Sequence, residues 1–124
     1  MGQAHQKCPL DYIRKNLFDP KIVRFNRDYF RFRTEDRNIP IPAVYQALIS
    51  KRCECIESYH REGEGPRFLL LGRKKHPPEP LHIVVEIVEE EPVMVLDIHN
   101  VYRPDPAIWS NGWRKRKSVY KKTA

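Results

Sequence analysis

The chain has 124 residues, a net charge of +7 and an apolar share of 40%. This length is typical of a single domain that can bury a hydrophobic core without a disulfide or a metal. The composition argues against wholesale disorder, and no apolar run approaches the roughly 20 residues of a membrane span. The N-terminus lacks the apolar segment of a secretory signal, so we expect a cytoplasmic protein that does not bind membranes.

Two helices are predicted from apolar residues at helical spacing. The first is "PLDYIRKNLF" (residues 9–18), with a proline in its first turn. The other, "IPIPAVYQALISKR" (residues 39–52), is expected to begin near Pro42 and to end at residues 50–52.

A third, arginine-bearing helix is predicted between these two, in "NRDYFRFRTEDRN" (residues 26–38). Arg33 and Arg37 are spaced i, i+4 beside an aromatic stripe, and Arg27 and Arg31 form a second such pair that faces elsewhere. This helix could therefore present basic residues on both flanks of the stripe.

The periodicity then changes to that of strands. Four are predicted in "CECIESYH", "RFLLLGRKK", "LHIVVEIV" and "VMVLDIHNVY", joined by short turns that favour an antiparallel meander. The expected fold class is α+β, with two or three N-terminal helices packed on a four-stranded antiparallel sheet. We expect one domain over residues 1–124, with a core at about 10–113 and a basic tail at 114–124, after an irregular stretch.

The three cysteines, Cys8, Cys53 and Cys55, do not form the pattern of a disulfide framework. Cys53 and Cys55 are spaced C-x-C, which does not make a zinc site without two further ligands. We expect reduced cysteines, no bound metal and no other cofactor.

The last two strands carry the polar residues of greatest interest. If "EEEP" is a four-residue loop, Val88 pairs with Val93 and His82 lies opposite His99. One face would then carry a cluster of two imidazoles and two carboxylates, formed by His82, Glu86, Asp97 and His99. Such a cluster suits acid–base chemistry near neutral pH or a divalent metal, and it is equally compatible with an ordinary half-solvated sheet face.

Several stretches, taken in order, resemble one bacterial and archaeal family. They are "IRKNL", "RFRTEDRNI", "YQALISKRCECIESY", "RFLLLGRKK", "PLHIVVEIV" and "VYRPDPAIW…RKRK", and "YRPDPAIW" is the most specific of them. The family is catalogued as domain of unknown function 4258 and is grouped with RelE-like toxins. The resemblance implies a RelE/barnase-like fold and metal-independent RNA cleavage in a toxin–antitoxin system.

Only some of the family's functional residues have a counterpart in this sequence. His82 matches its strand histidine, Arg33 and Arg37 match its helix arginines, and its ending is matched by Tyr102, Asp105 and Trp109. Two positions depart from the family pattern, because Tyr29 replaces a histidine and Asn100 replaces a threonine or serine. If the missing histidine is the general base, this chain binds RNA without cutting it.

The predicted site follows from what metal-free RNA cleavage needs. His82, with His99, would supply the acid and base, Arg33 and Arg37 would hold the phosphate, and Tyr102 would donate a proton or stack on a base. The RNA backbone would be bound by the cations Arg27, Arg31, Arg114, Lys115, Arg116 and Lys117. The expected partners are RNA, including RNA on the ribosome, and an antitoxin protein.

Two alternatives stay open at this point. One is a non-catalytic module of the same fold that binds RNA or protein. The other is a small metal-dependent enzyme that uses the predicted cluster. For the basic residues themselves, a plain alternative is a tail that only keeps the protein soluble.

Overall fold

The computed structural model describes residues 8–25, 39–75 and 78–117. They form two helices and seven strands, in the order α1 (Leu10–Asn16), β1 (Val23–Phe25), α2 (Ile41–Ile49), β2 (Glu54–Tyr59), β3 (Arg67–Lys75), β4 (Pro78–Glu90), β5 (Val93–Tyr102), β6 (Trp109–Ser110) and β7 (Lys115–Arg116). Five strands make one sheet in the order β1-β5-β4-β3-β2, and β6 and β7 pair as a separate ribbon. Neither described helix has the length and apolar character to cross a membrane.

The predicted four-stranded antiparallel sheet is wrong. Strands β2 to β5 do pair as an antiparallel meander, but β1 adds a fifth strand that runs parallel to β5, so the sheet is mixed. For "DPKIVRF" (residues 19–25) the sequence predicts only a turn and a brief extended piece, because a strand of three residues shows no periodicity that reveals a distant partner. The β6–β7 ribbon lies in the stretch predicted to be irregular and then basic.

Helices α1 and α2 cover one face of the sheet. Ile13 and Leu17 from the first helical segment, and Val44 and Leu48 from α2, are at most 1% exposed and belong to the main core. Helix α2 approaches the sheet at Gly72, where an added Cβ would lie 2.6 Å from the main-chain oxygen of Ala47. The absence of a side chain at this position lets the helix pack directly on β3.

The β6–β7 ribbon covers part of the opposite face. It turns back at Asn111–Trp113, where three consecutive residues have positive φ angles of 53°, 65° and 72°. Only glycine adopts such angles without steric cost, and Gly112 occupies the centre of the turn. The turn brings Trp109, which is 4% exposed, over His82 with 4.4 Å between ring centroids.

The β4–β5 hairpin has a tighter turn than predicted, followed by a bulge. Glu90 pairs with Val93, so the loop has two residues instead of four. The register then shifts between Val84 and Val85, which leaves His99 as the extra residue of β5. The bulge changes which residues of β5 share a face, and it brings Tyr102 opposite His82.

Candidate functional site

The predicted pair of histidines does not form. His82 lies opposite Tyr102, and Glu86 lies opposite Asp97, so the predicted pairing of His82 with His99 is wrong. The cause is the shorter turn together with the bulge, and neither can be derived from strand alternation alone. Three of the four predicted polar residues meet, and His82 is separated from them.

His82 is fully buried, with 0% exposure. Its Nε2 lies 2.9 Å from the main-chain oxygen of Trp113, and its Nδ1 lies 3.2 Å from Tyr102 Oη. A carbonyl oxygen can only accept, so Nε2 carries the proton and Nδ1 accepts from the tyrosine hydroxyl. Both ring nitrogens are therefore occupied within the fold.

Burial lowers the pKa of His82 below its ordinary value, and the hydrogen bond to Trp113 and the carboxylate of Glu57 offset this only in part. The imidazole is accordingly neutral at physiological pH. A substrate could reach His82 only if the segment that carries Trp109 and Trp113 moved away. The same contacts explain why a histidine is stable in this position without any catalytic role.

A second group of polar side chains consists of His99, Glu86 and Asp97. We call this group the acid–base cluster. His99 Nε2 lies 2.6 Å from Glu86 Oε1 and 3.6 Å from Asp97 Oδ2. The side chains of His99, Glu86 and Asp97 are 20%, 12% and 12% exposed, while the atoms His99 Nε2 and Asp97 Oδ1 are buried. Burial raises the pKa of the Asp97 carboxyl, although His99 and Arg24 act in the opposite sense.

Two arginines flank the acid–base cluster. Arg24 Nε lies 3.6 Å from Asp97 Oδ2, and Arg67 Nη2 lies 3.7 Å from Glu86 Oε1. The other oxygen of Glu86 accepts a hydrogen bond from the main-chain nitrogen of Gly65 at 2.9 Å. Two carboxylates and an imidazole thus lie beside two guanidinium groups within one small area.

The acid–base cluster also has the donor set for a divalent metal. One ligand atom from each of Glu86, Asp97 and His99 lies within 4.8 Å of the others. A metal ion would, however, compete with the guanidinium of Arg24 for Asp97 and with that of Arg67 for Glu86. The geometry permits a metal, and the surrounding positive charge opposes it.

The basic tail divides into two kinds of residue. Arg114 and Arg116 make ion pairs with Glu54 and Glu57 on β2, at 2.6 Å and 2.8 Å. Arg116 also lies over the ring of Trp109, 4.7 Å from its centroid. The two lysines that alternate with these arginines, Lys115 and Lys117, are exposed. Among residues 114–117, Lys115 and Lys117 are therefore the cations that have no ion pair within the described part of the chain.

A further feature, which the sequence analysis did not predict, is a basic groove with a volume of about 670 Å³. It lies where the end of α2 meets the end of β3 and the start of β4. Its lining residues are Ile49, Ser50, Lys51, Arg52, Arg73, Lys74, Lys75 and Pro78. The sequence does contain two basic runs, "KR" and "RKK", but only the topology shows that they meet.

Another group of predicted residues belongs to the arginine-bearing stretch. Arg27, Arg31, Arg33 and Arg37, and the variant position Tyr29, lie in residues 26–38, outside the described residues. Their predicted roles in holding a phosphate and in binding RNA stay predictions.

No protein-family model, curated protein or solved structure matches this chain. The resemblance to the toxin-related family therefore stays a prediction.

Proposed function

We propose that this protein binds RNA and that the sugar–phosphate backbone lies in the basic groove. The observation that carries the proposal is the charge of the lining. Of the eight described residues that line it, five are cations, namely Lys51, Arg52, Arg73, Lys74 and Lys75, and none of these eight is an acid. A concave surface of one sign concentrates the field and attracts a polyanion.

Most of this charge is available to a ligand. Lys74 contacts Glu79 at 3.3 Å, but that carboxylate also binds Arg103 through both oxygens. Within the described part of the chain, Lys51, Arg52 and Lys75 have no ion pair. Phosphates could replace the water around these side chains without breaking an internal salt bridge.

The groove also offers apolar surface. Ile49 is 42% exposed at its edge, although a large aliphatic side chain is usually buried. Ribose and base faces can contact such a surface while the cations hold the phosphates, as in the binding of single-stranded nucleic acid. We therefore expect single-stranded RNA to bind more tightly than a duplex.

The test is fluorescence anisotropy with a labelled single-stranded RNA, using the whole chain. The double variant Arg52→Gln/Lys75→Gln removes two charges from the groove. The control, Lys15→Gln/Lys21→Gln, removes two exposed charges outside it. Two lost phosphate contacts should weaken binding by about 20-fold near 0.1 M salt, whereas the control should change it by less than about twofold.

Three results would count against the proposal. One is equal weakening by both double variants, which would indicate attraction to net charge alone. Another is the absence of RNA binding by the unaltered protein. The third is tighter binding of an acidic peptide than of RNA, which would identify a protein partner. DNA of the same sequence distinguishes RNA from a general polyanion.

We propose metal-independent RNA cleavage as a second candidate activity, because the acid–base cluster contains the required groups. Cleavage needs a base for the 2′-hydroxyl, an acid for the leaving oxygen and positive charge near the phosphorane. In this candidate activity Glu86 would act as the base, His99 as the acid and Arg67 as the cation. These roles need no movement of the β6–β7 ribbon, whereas the role predicted for His82 does.

Cleavage is tested by incubating RNA with the protein in the presence of EDTA. Glu86→Gln and His99→Asn should each abolish product formation while leaving RNA binding in the groove unchanged. In cells, expression should arrest growth and His99→Asn should relieve the arrest, as expected of a toxin. Intact RNA at saturating protein would instead indicate a non-catalytic RNA-binding module.

A further inference from the structure

Two buried polar atoms of the acid–base cluster lack a hydrogen-bond partner within the described part of the chain. They are His99 Nε2 and Asp97 Oδ1, and Asp97 as a whole is only 8% exposed. His99 Nε2 lies 2.6 Å from Glu86 Oε1, but the two groups are not aligned for a hydrogen bond. Because buried polar atoms are usually satisfied, these two indicate that the cluster binds a further group.

The strands that carry the cluster are interior strands of the sheet. Glu86 lies on β4, Asp97 and His99 lie on β5, and each of these strands is paired on both sides. Glu86 is directly opposite Asp97, and the bulge places His99 beside them as the extra residue of β5. Bulges redirect side chains and are frequent next to functional sites. A ligand held here is bound by rigid elements, which fix its position better than loops do.

A main-chain contact orients the carboxylate of Glu86. Its Oε2 accepts a hydrogen bond from the main-chain nitrogen of Gly65 at 2.9 Å, while its Oε1 faces His99. A side chain at position 65 would collide with the main-chain oxygen of Ile87, so glycine permits this close approach. Carboxylates that bind metals are commonly held by such outer hydrogen bonds.

The donor atoms of the cluster suit a tetrahedral metal with three protein ligands. Zn²⁺ sites of this kind use imidazole and carboxylate groups, and water occupies the fourth position. Bonds of about 2.0–2.2 Å place the ligand atoms about 3.3 Å apart. His99 Nε2 lies 2.6 Å from Glu86 Oε1 and 3.6 Å from Asp97 Oδ2, so small side-chain movements produce this geometry. Mg²⁺ suits the cluster less well, because it prefers oxygen ligands to imidazole.

The two flanking arginines oppose a cation less than their positions alone indicate. Arg24 is closer to Glu90, at 2.9 Å, than to Asp97, at 3.6 Å. Arg67 likewise lies 3.5 Å from Glu64, which is closer than its contact with the cluster. Four carboxylates against two guanidinium groups leave a formal charge of −2 around a neutral imidazole. A divalent cation balances that charge.

We propose that the acid–base cluster binds Zn²⁺, with Glu86, Asp97 and His99 as its protein ligands. Zn²⁺ accepts the lone pair of His99 Nε2, which carries no proton in the bound form. The metal also occupies the atoms that would act as base and acid in the second candidate activity, so Zn²⁺ inhibits that cleavage. This inhibition rests on the second candidate activity, whereas Zn²⁺ binding does not.

The test is isothermal titration calorimetry of the whole, fully reduced chain with zinc chloride. His99→Asn should weaken Zn²⁺ binding by about 100-fold, since changing even an outer partner of a metal ligand commonly costs 10–100-fold. His60→Asn is the matched control, because it removes an exposed histidine outside the cluster and should leave the affinity unchanged. Cys55→Ser should also leave it unchanged, which excludes binding by thiols. Excess Mg²⁺ should not displace the Zn²⁺.

A variant that tightens binding provides a second measurement, which misfolding cannot imitate. Arg24→Gln removes the guanidinium that competes for Asp97 and should strengthen Zn²⁺ binding by about threefold. Unchanged or weaker binding in this variant, full affinity in His99→Asn, lost affinity in Cys55→Ser, or no Zn²⁺ binding by the unaltered chain would each overturn the proposal. Zn²⁺ binding by a chain that leaves RNA intact supports this site and counts against the second candidate activity alone.

Discussion

The ring nitrogen Nε2 of His82 and the main-chain oxygen of Trp113 lie 2.9 Å apart and join the central sheet to the β6–β7 ribbon. The ribbon is short, and each of its strands has only two residues. A pair of two-residue strands has little stability of its own. Its position on the sheet therefore depends on contacts such as this one and the packing of Trp109 on the same imidazole.

The first prediction concerns the stability of this arrangement. His82→Leu should lower the free energy of unfolding by about 3 kcal/mol, because it removes the hydrogen bonds of the buried imidazole to the Trp113 carbonyl and the Tyr102 hydroxyl. Urea denaturation near neutral pH measures the change. The control His60→Leu alters an exposed histidine and should stay within about 0.5 kcal/mol. Equal effects at the two positions would contradict the buried role of His82.

The second prediction concerns pH. Because burial lowers the pKa of His82, the unfolded chain takes up a proton at higher pH than the folded chain does. Its contribution to stability is therefore fully present above the unfolded pKa of about 6.5 and is lost as pH falls from there towards the lower folded pKa. Glu57 and Arg116 face the same imidazole and act on it in opposite directions.

The measurement is urea denaturation between about pH 8 and pH 5, compared with His82→Gln, which cannot titrate in this range. The loss of stability on acidification should be smaller in the variant. Asp97 acts in the opposite sense, since its raised pKa lets the folded chain take up a proton first. Because Asp97 is present in both proteins, the difference between them isolates His82. Identical pH profiles would contradict the prediction.

The sequence predicted the existence of most elements but not how they are arranged. Strands β3 and β5 have the predicted bounds, because their apolar residues are long runs between turn residues. The pairing of β1 with β5 was not predicted, because a strand of three residues is stable only when it pairs with a neighbouring strand. The fold class was wrong for this reason.

The candidate site was predicted in part, for similar reasons. The alternation of side chains between the two faces of β4 and β5 predicted that Glu86 and Asp97 lie near each other. In the structure these two residues are directly opposite each other on the paired strands. The bulge at His99 was not predictable, because it depends on keeping Ile98 and Val101 in the same core. The burial of His82 depends on Trp109, and no pattern in the sequence indicates that these two residues meet.

The third prediction tests the packing of α2 on the sheet. Gly72→Ala should destabilise the protein by about 3 kcal/mol, because the new methyl group meets the main chain of Ala47, which cannot rotate away. Gly63→Ala is a useful contrast, since it has open space around it and a φ of +81°. That variant should cost only about 1 kcal/mol of backbone strain. Thermal and urea unfolding measure both, and a neutral Gly72→Ala would contradict the close approach.

The fourth prediction concerns the salt dependence of RNA binding. Each phosphate contact releases counterions, so the logarithm of the binding constant falls with the logarithm of salt concentration by about 0.7 per contact on a single strand. Arg52→Gln/Lys75→Gln should therefore reduce the magnitude of the slope by about 1.4. Lys15→Gln/Lys21→Gln should leave the slope unchanged. An unchanged slope in the groove variant would mean that neither side chain contacts a phosphate.

The fifth prediction separates two neighbouring residues of the basic tail. Arg116 is paired with Glu57 through two hydrogen bonds and lies over Trp109, whereas Lys115 is exposed on the same strand. Arg116→Gln should lower stability by about 1 kcal/mol and leave RNA affinity nearly unchanged, because its charge is already neutralised within the fold.

Lys115→Gln should have the opposite profile, with unchanged stability and an RNA affinity several-fold lower, since it removes one exposed cation. The two variants lose the same formal charge, so net charge cannot explain a difference between them. The basic tail contacts β2 beside the basic groove. Arg114 binds Glu54 and lowers the pKa of its carboxyl, and Arg73, which lines the groove, acts on the same carboxyl in the same direction. If Arg116→Gln weakens RNA binding as much as Lys115→Gln does, Arg116 must leave Glu57 to reach the phosphate.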